Sequence, residues 1–79
     1  MKQFYVTILI AFLTVDMTAN GNATISITDI SGRIILTKNI NNTNGFFSEK
    51  INVSALANGF YFLTAETNGS RETQRFEKQ

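Results

Sequence analysis

The chain has no cysteine, histidine, proline or tryptophan, and charged residues make up only 16% of its 79 positions. Without cysteine, no disulfide staples the fold and no thiolate metal site is available. Without histidine, no side chain titrates near neutrality unless its surroundings shift it. The usual nucleophile–base pairs are therefore missing. The remaining acids, Asp16, Asp29, Glu49, Glu66, Glu72 and Glu77, are scattered along the chain, whereas acid–base chemistry needs two of them to converge in a cleft. The expectation is a non-enzyme with no metal, no cofactor and no small-molecule substrate. A net charge of +1 is too small for the basic stripe that nucleic acid demands.

What the chain holds in excess is Thr, Asn, Ile and Phe. Thr, Ile and Phe fit pleated, half-buried strands, and Asn-Gly pairs fit tight turns. There is room for one domain. A chain this short buries roughly 60% of its unfolded surface, so its stability margin is narrow.

Residues 1–11 form a distinct apolar segment ahead of a domain at 12–79. Lys2 followed by the apolar run from Phe4 to Val15 has the outline of a secretory signal peptide. It is too short to span a bilayer, which takes about 20 residues. The other readings are a buried first strand with Leu13, Val15 and Met17 on one face, or a remnant upstream of the true domain.

From Thr14 on, the pattern is of strands and turns. Asn20-Gly21-Asn22 reads as a hairpin turn. Ile25 and Ile27 alternate with Thr24, Ser26 and Thr28, as in a half-buried strand. At the turn Asp29-Ile30-Ser31-Gly32-Arg33, the Asp29 carboxylate is placed to accept backbone N–H groups and Gly32 to take positive φ. Ile34 to Leu36 reads as a short strand, Asn39 to Gly45 as a polar loop, and Phe47, Ile51 and Val53 as one face of a fourth strand. Ser54 to Gly59 breaks the alternation: Ser54 caps a single helical turn, Leu56 plugs the core edge and Gly59 ends the turn. Phe60 to Thr67 is a strand with Tyr61, Leu63 and Ala65 on one side. Asn68-Gly69 is the strongest hairpin signal, leading into a polar edge strand, Ser70 to Lys78, shielded by Arg71, Glu72, Arg75 and Lys78. The predicted fold is all-β: a small antiparallel immunoglobulin-like β-sandwich of six to seven short strands.

Two blocks, Ile25 to Leu36 around Asp29-Ile30-Ser31-Gly32-Arg33 and Val53-Ser54-Ala55-Leu56-Ala57-Asn58-Gly59-Phe60-Tyr61, resemble a known family. It is that of the type IX secretion system C-terminal sorting domains of Bacteroidetes-type bacteria. The closing hairpin Asn68-Gly69-Ser70-Arg71 and the basic end around Arg75 and Lys78 are similar too. The resemblance covers about Phe12 to Gln79. It implies a folded signal that sends a covalently linked passenger through the periplasm and across the outer membrane. The destination is the cell surface or the medium. The partners implied are the type IX machinery and its sortase-like cysteine protease, which removes the domain. The motif and turn residues implied are Asp29, Gly32, Arg33, Leu56, Gly59, Tyr61, Asn68 and Gly69, with docking at Arg71, Arg75 and Lys78. The family's opening Asn-Pro motif and the passenger are missing here, as expected of a fragment or of a reading frame with a shifted start.

Two other classes fit the composition. One is an immunoglobulin-like adhesive or carbohydrate-binding module using Phe46, Phe60 and Phe62, although sugar platforms favour Trp and Tyr. The other is a small exported structural protein whose own signal peptide is the apolar N-terminal run.

Overall fold

Alternating apolar residues specify strands that bury one face, and the computed structural model of the chain, which describes residues 4–67 and 69–79, contains little else. Five strands follow in order: β1 (Phe4–Leu9), β2 (Phe12–Asp29), β3 (Ile34–Asn52), β4 (Gly59–Thr67) and β5 (Ser70–Lys78). All neighbours are antiparallel. No described residue is helical.

Two strands are far longer than expected. β2 has 18 residues and β3 has 19. At about 3.3 Å per residue each would reach about 60 Å if straight, yet the molecule measures 33 × 23 × 21 Å. Both strands therefore fold back on themselves. The pairing shows where: the register of β2 with β3 shifts between Gly21 and Ala23, a β-bulge that bends the ladder. The Asn20-Gly21-Asn22 segment is thus not a hairpin turn but the part of β2 that bends opposite a bulge, where β2 advances two residues, from Gly21 to Ala23, while β3 advances three, between Thr43 and Ile40. Asn39 to Gly45 is likewise not a loop but the matching stretch of β3, and the predicted third and fourth strands are the two arms of that one strand.

The bend creates two layers. The first holds β1, the Phe12–Asn20 arm of β2 and the Asn44–Asn52 arm of β3. The second runs from the Ile34–Ile40 arm of β3 through the Ala23–Asp29 arm of β2 to β4 and β5. With each arm counted as a strand, the fold is a small antiparallel sandwich of seven, in line with the predicted class. A Lys38–Glu49 ion pair ties the two arms of β3.

Odd-numbered residues face inward along both arms of β2, so Leu13, Val15, Met17, Ile25 and Ile27 are fully buried. Ala19 and Ala23 of β2, Phe47 and Ile51 of β3, Val53 just beyond it, Tyr61, Leu63 and Ala65 of β4 and Phe76 of β5 complete the core. The N-terminal apolar run is two strands rather than one. Phe4, Val6 and Ile8 of β1 pack against the core, and a two-residue turn at Ile10 and Ala11 leads into β2.

Candidate functional site at one pole of the sandwich

Because β2 and β3 fold back, their four ends meet at one pole. The turn after β1, the turn between β2 and β3, the connection from β3 to β4 and the end of β5 all lie there. The ladder fixes the neighbours: Asp29 pairs with Tyr61, Tyr61 with Phe76, and Gly59 with Lys78. The two sequence blocks, separated along the chain, are thus adjacent strands in space.

The first block forms the hairpin that joins β2 to β3. The Gly32 N–H donates to the Asp29 carbonyl at 3.0 Å, and the Asp29 N–H donates to the Arg33 carbonyl at 3.0 Å. This is a three-residue connection that needs a left-handed residue at its third position. Gly32 fills it with φ of 91°, where a side chain is disfavoured. Asp29 Oδ1 accepts three bonds, from the Ser31 hydroxyl at 2.6 Å and from the Ser31 and Arg33 N–H groups, each at 3.0 Å. The Arg33 Nε lies 3.3 Å from Oδ2. The Ser31 hydroxyl, then the two backbone donors and the Arg33 charge, hold the Asp29 carboxyl below its ordinary value, because all of them favour the ionised form.

The second block spans the pole from one layer to the other. The Val53 N–H donates to the Ala11 carbonyl at 2.8 Å, and the Leu56 N–H to the Val53 carbonyl at 3.0 Å. These bonds shape a turn, not a helix. Leu56 is half-buried against the core. Two side chains from other strands grip the connection. The Tyr61 hydroxyl donates to the Ala57 carbonyl at 2.6 Å, and the Lys78 ammonium to the Leu56 carbonyl at 3.5 Å. The Tyr61 ring stacks on Phe76 with centroids 5.7 Å apart. Gly59 starts β4 with φ of 148°.

The expected docking residues do not form one patch. Arg71 is exposed opposite Glu66 at the far end of β5, next to Gly69. Arg75 is exposed, with its guanidinium 4.9 Å from the centre of the Phe60 ring. Lys78 is not a solvated edge residue: only 9% of it is exposed, because its stem packs inward and its ammonium finds a carbonyl. Asn68 lies outside the described residues.

Phe60, named above as a candidate sugar-stacking ring, is partly exposed at this pole, and sequence reasoning passed over the other large apolar side chains exposed there: Leu9, Ile10, Phe12, Ile30 and Ile34. Ile30, at the centre of a turn otherwise made of polar and glycine residues, was the visible signal. Among the described residues no group of three His, Cys, Asp or Glu side chains is placed to hold a metal ion.

The architecture defines a small all-β module with Asp29, Gly32, Arg33, Leu56, Gly59, Tyr61 and Lys78 at one pole and Gly69 and Arg71 at the other end of β5. Residues 10–79 match the family described as the secretion system C-terminal sorting domain. The chain belongs to this family, the sorting domains of type IX secretion. No curated protein matches it. The family is one of sorting signals rather than catalysts, and membership implies interaction with the type IX machinery and export to the cell surface or the medium.

Proposed function

We propose that this chain is read as a folded domain by the type IX machinery at the outer membrane, and that a sortase-like cysteine protease then cuts it from its passenger. The observation that carries this reading is the convergence of both sequence blocks on one pole, through the Asp29–Tyr61 pair and the Tyr61 and Lys78 bonds to the connection between β3 and β4. An unfolded signal would have no use for such bonds. Asp29, Gly32, Arg33, Leu56, Gly59 and Tyr61 shape the recognised surface. Asn68 and Gly69 set the last hairpin. Arg71 and Arg75 offer charge to the partner, and Lys78 acts from within by positioning the connection. The minimal signal is residues 12–79.

The test is a fusion of Phe12 to Gln79 behind a signal peptide and a fluorescent reporter in a type IX-competent bacterium. A second fusion starting at Phe4 reports whether β1 contributes. The reporter reaches the surface with the intact domain. Deleting residues 71–79 removes Phe76 and Lys78, and Gly59→Val strains the entry to β4; each traps the reporter in the periplasm. If the intact fusions stay periplasmic while an established sorting domain exports the same reporter, the sorting role fails and an adhesive module becomes the better account.

A further inference from the structure

Ile10 is the least expected residue of the pole. It sits at the tip of the turn between β1 and β2 with φ of 57° and is 84% exposed. A β-branched residue in the left-handed region is strained, and Asn or Gly would sit there with less strain. Packing does not explain Ile10, since it buries almost nothing, and backbone geometry argues against it. Strain held at an exposed position points to a ligand.

Its neighbours point the same way. Leu9 is 71% exposed and, with Ile10 and Phe12, lines an open groove of about 500 Å³. At another corner of the pole, Ile30 is 76% and Ile34 63% exposed at the β2–β3 turn. Cations accompany each apolar group. Lys50 lies 4.7 Å from the centre of the Phe12 ring and Arg75 stacks on Phe60. Arg33 has 80% of its side chain exposed beside Ile34. The acids nearby are Asp16, which lines the groove beside Lys50, Asp29, tied to Arg33, and the exposed Glu77.

We infer that this pole inserts into the surface of an anionic lipid bilayer. Ile10 and Ile30 enter the acyl boundary, while Lys50, Arg33 and Arg75 remain at headgroup level. A bilayer fits better than a rigid protein partner because the apolar tips stand apart. The exposed, small or polar Ser54, Ala55, Ala57 and Asn58 connect the layers at the same pole. A protein interface needs a continuous apolar centre; a fluid surface accepts separate points. The inference goes beyond sorting and concerns the purified chain alone, so a failed export assay leaves it standing.

The test is flotation of the purified chain with vesicles of phosphatidylethanolamine and phosphatidylglycerol, with phosphatidylcholine vesicles as the neutral comparison. The chain floats with the anionic vesicles and less with the neutral ones. Ile10→Asn and Ile30→Asn each weaken partitioning about tenfold. Ile10→Asn at the same time raises the melting temperature, because Asn tolerates the turn conformation; a merely damaged fold would move both readings down together. The chain has no tryptophan, so Ile30→Trp gives a clean fluorescence signal. It blue-shifts on the vesicles, whereas Asn44→Trp at the opposite end does not. The inference is overturned if the chain does not float, if neither Asn variant alters flotation, or if both tryptophans shift alike. Self-association abolished by the same Asn variants, without vesicle binding, makes the pole a protein interface and also overturns it.

Discussion

Lys78, the final residue of β5, donates its ammonium to the carbonyl of Leu56, 22 positions earlier. One carbonyl along, Tyr61 binds Ala57. The connection between β3 and β4 is therefore held by side chains of the two strands that follow it. Lys78→Met keeps the apolar stem and removes the donor, so it costs about 1 kcal/mol. Lys78→Ala also removes the packing and costs more. Amide exchange checks the mechanism: protection at Leu56 falls in both variants, while protection in β2 is kept. Unchanged exchange at Leu56 in Lys78→Met rules out the grip.

Leu56 and Leu63 make a graded pair. Leu56 is half-buried and Leu63 is fully buried. Truncation costs about 2–5 kcal/mol in cores and scales with the space left empty. Leu56→Ala is expected near 2 kcal/mol and Leu63→Ala near 4 kcal/mol. In a domain of narrow margin, the second leaves the chain largely unfolded. Urea midpoints of the two variants give the order; equal midpoints contradict it.

The depressed Asp29 carboxyl predicts a pH dependence with a definite sign. Its folded value lies below the ordinary 3.8, so the unfolded chain takes up the proton first as pH falls. The stabilisation is complete well above 3.8 and is lost as pH drops through the lower folded value. Melting temperatures of the wild type and Asp29→Asn are expected to differ near neutral pH and to converge in strong acid. A gap that persists in acid assigns the effect to something other than the Asp29 charge.

Gly32→Val places a β-branched residue at φ of 91°. No atom crowds the site within 4 Å, so the expected loss comes from the backbone, roughly 1–2 kcal/mol or more. Gly32→Asn loses less, because Asn tolerates the left-handed region. Equal losses for Val and Asn would mean that the side chain clashes instead.

The Asp29 turn was legible because one carboxylate, one hydroxyl and one glycine at fixed offsets allow few other local structures. The inward alternation through Leu13, Val15, Ile25 and Ile27 was legible for the same kind of reason. Asn20-Gly21-Asn22 misled, since a strand bent opposite a bulge and a hairpin turn call for the same permissive residues. Only the partner strand decides between reversal and bend. The turn at Ile10 carried no turn residue at all, so β1 and β2 read as a single apolar run. Lys78 reads as solvated at the level of sequence, because its acceptor, the Leu56 carbonyl, comes from a distant loop. The meeting of the two blocks was hidden until β2 and β4 were paired.

The placement of Phe76 and Lys78 sets an order of events as the domain folds. The β2–β3 ladder closes from its own turn, with partners near in sequence. The core, in contrast, stays open beside Tyr61 until Phe76 arrives, and the connection at Leu56 stays loose until Lys78 does. The pole is complete only once the closing residues of β5 have docked. A copy lacking them presents an unfinished surface at Tyr61 and Leu56.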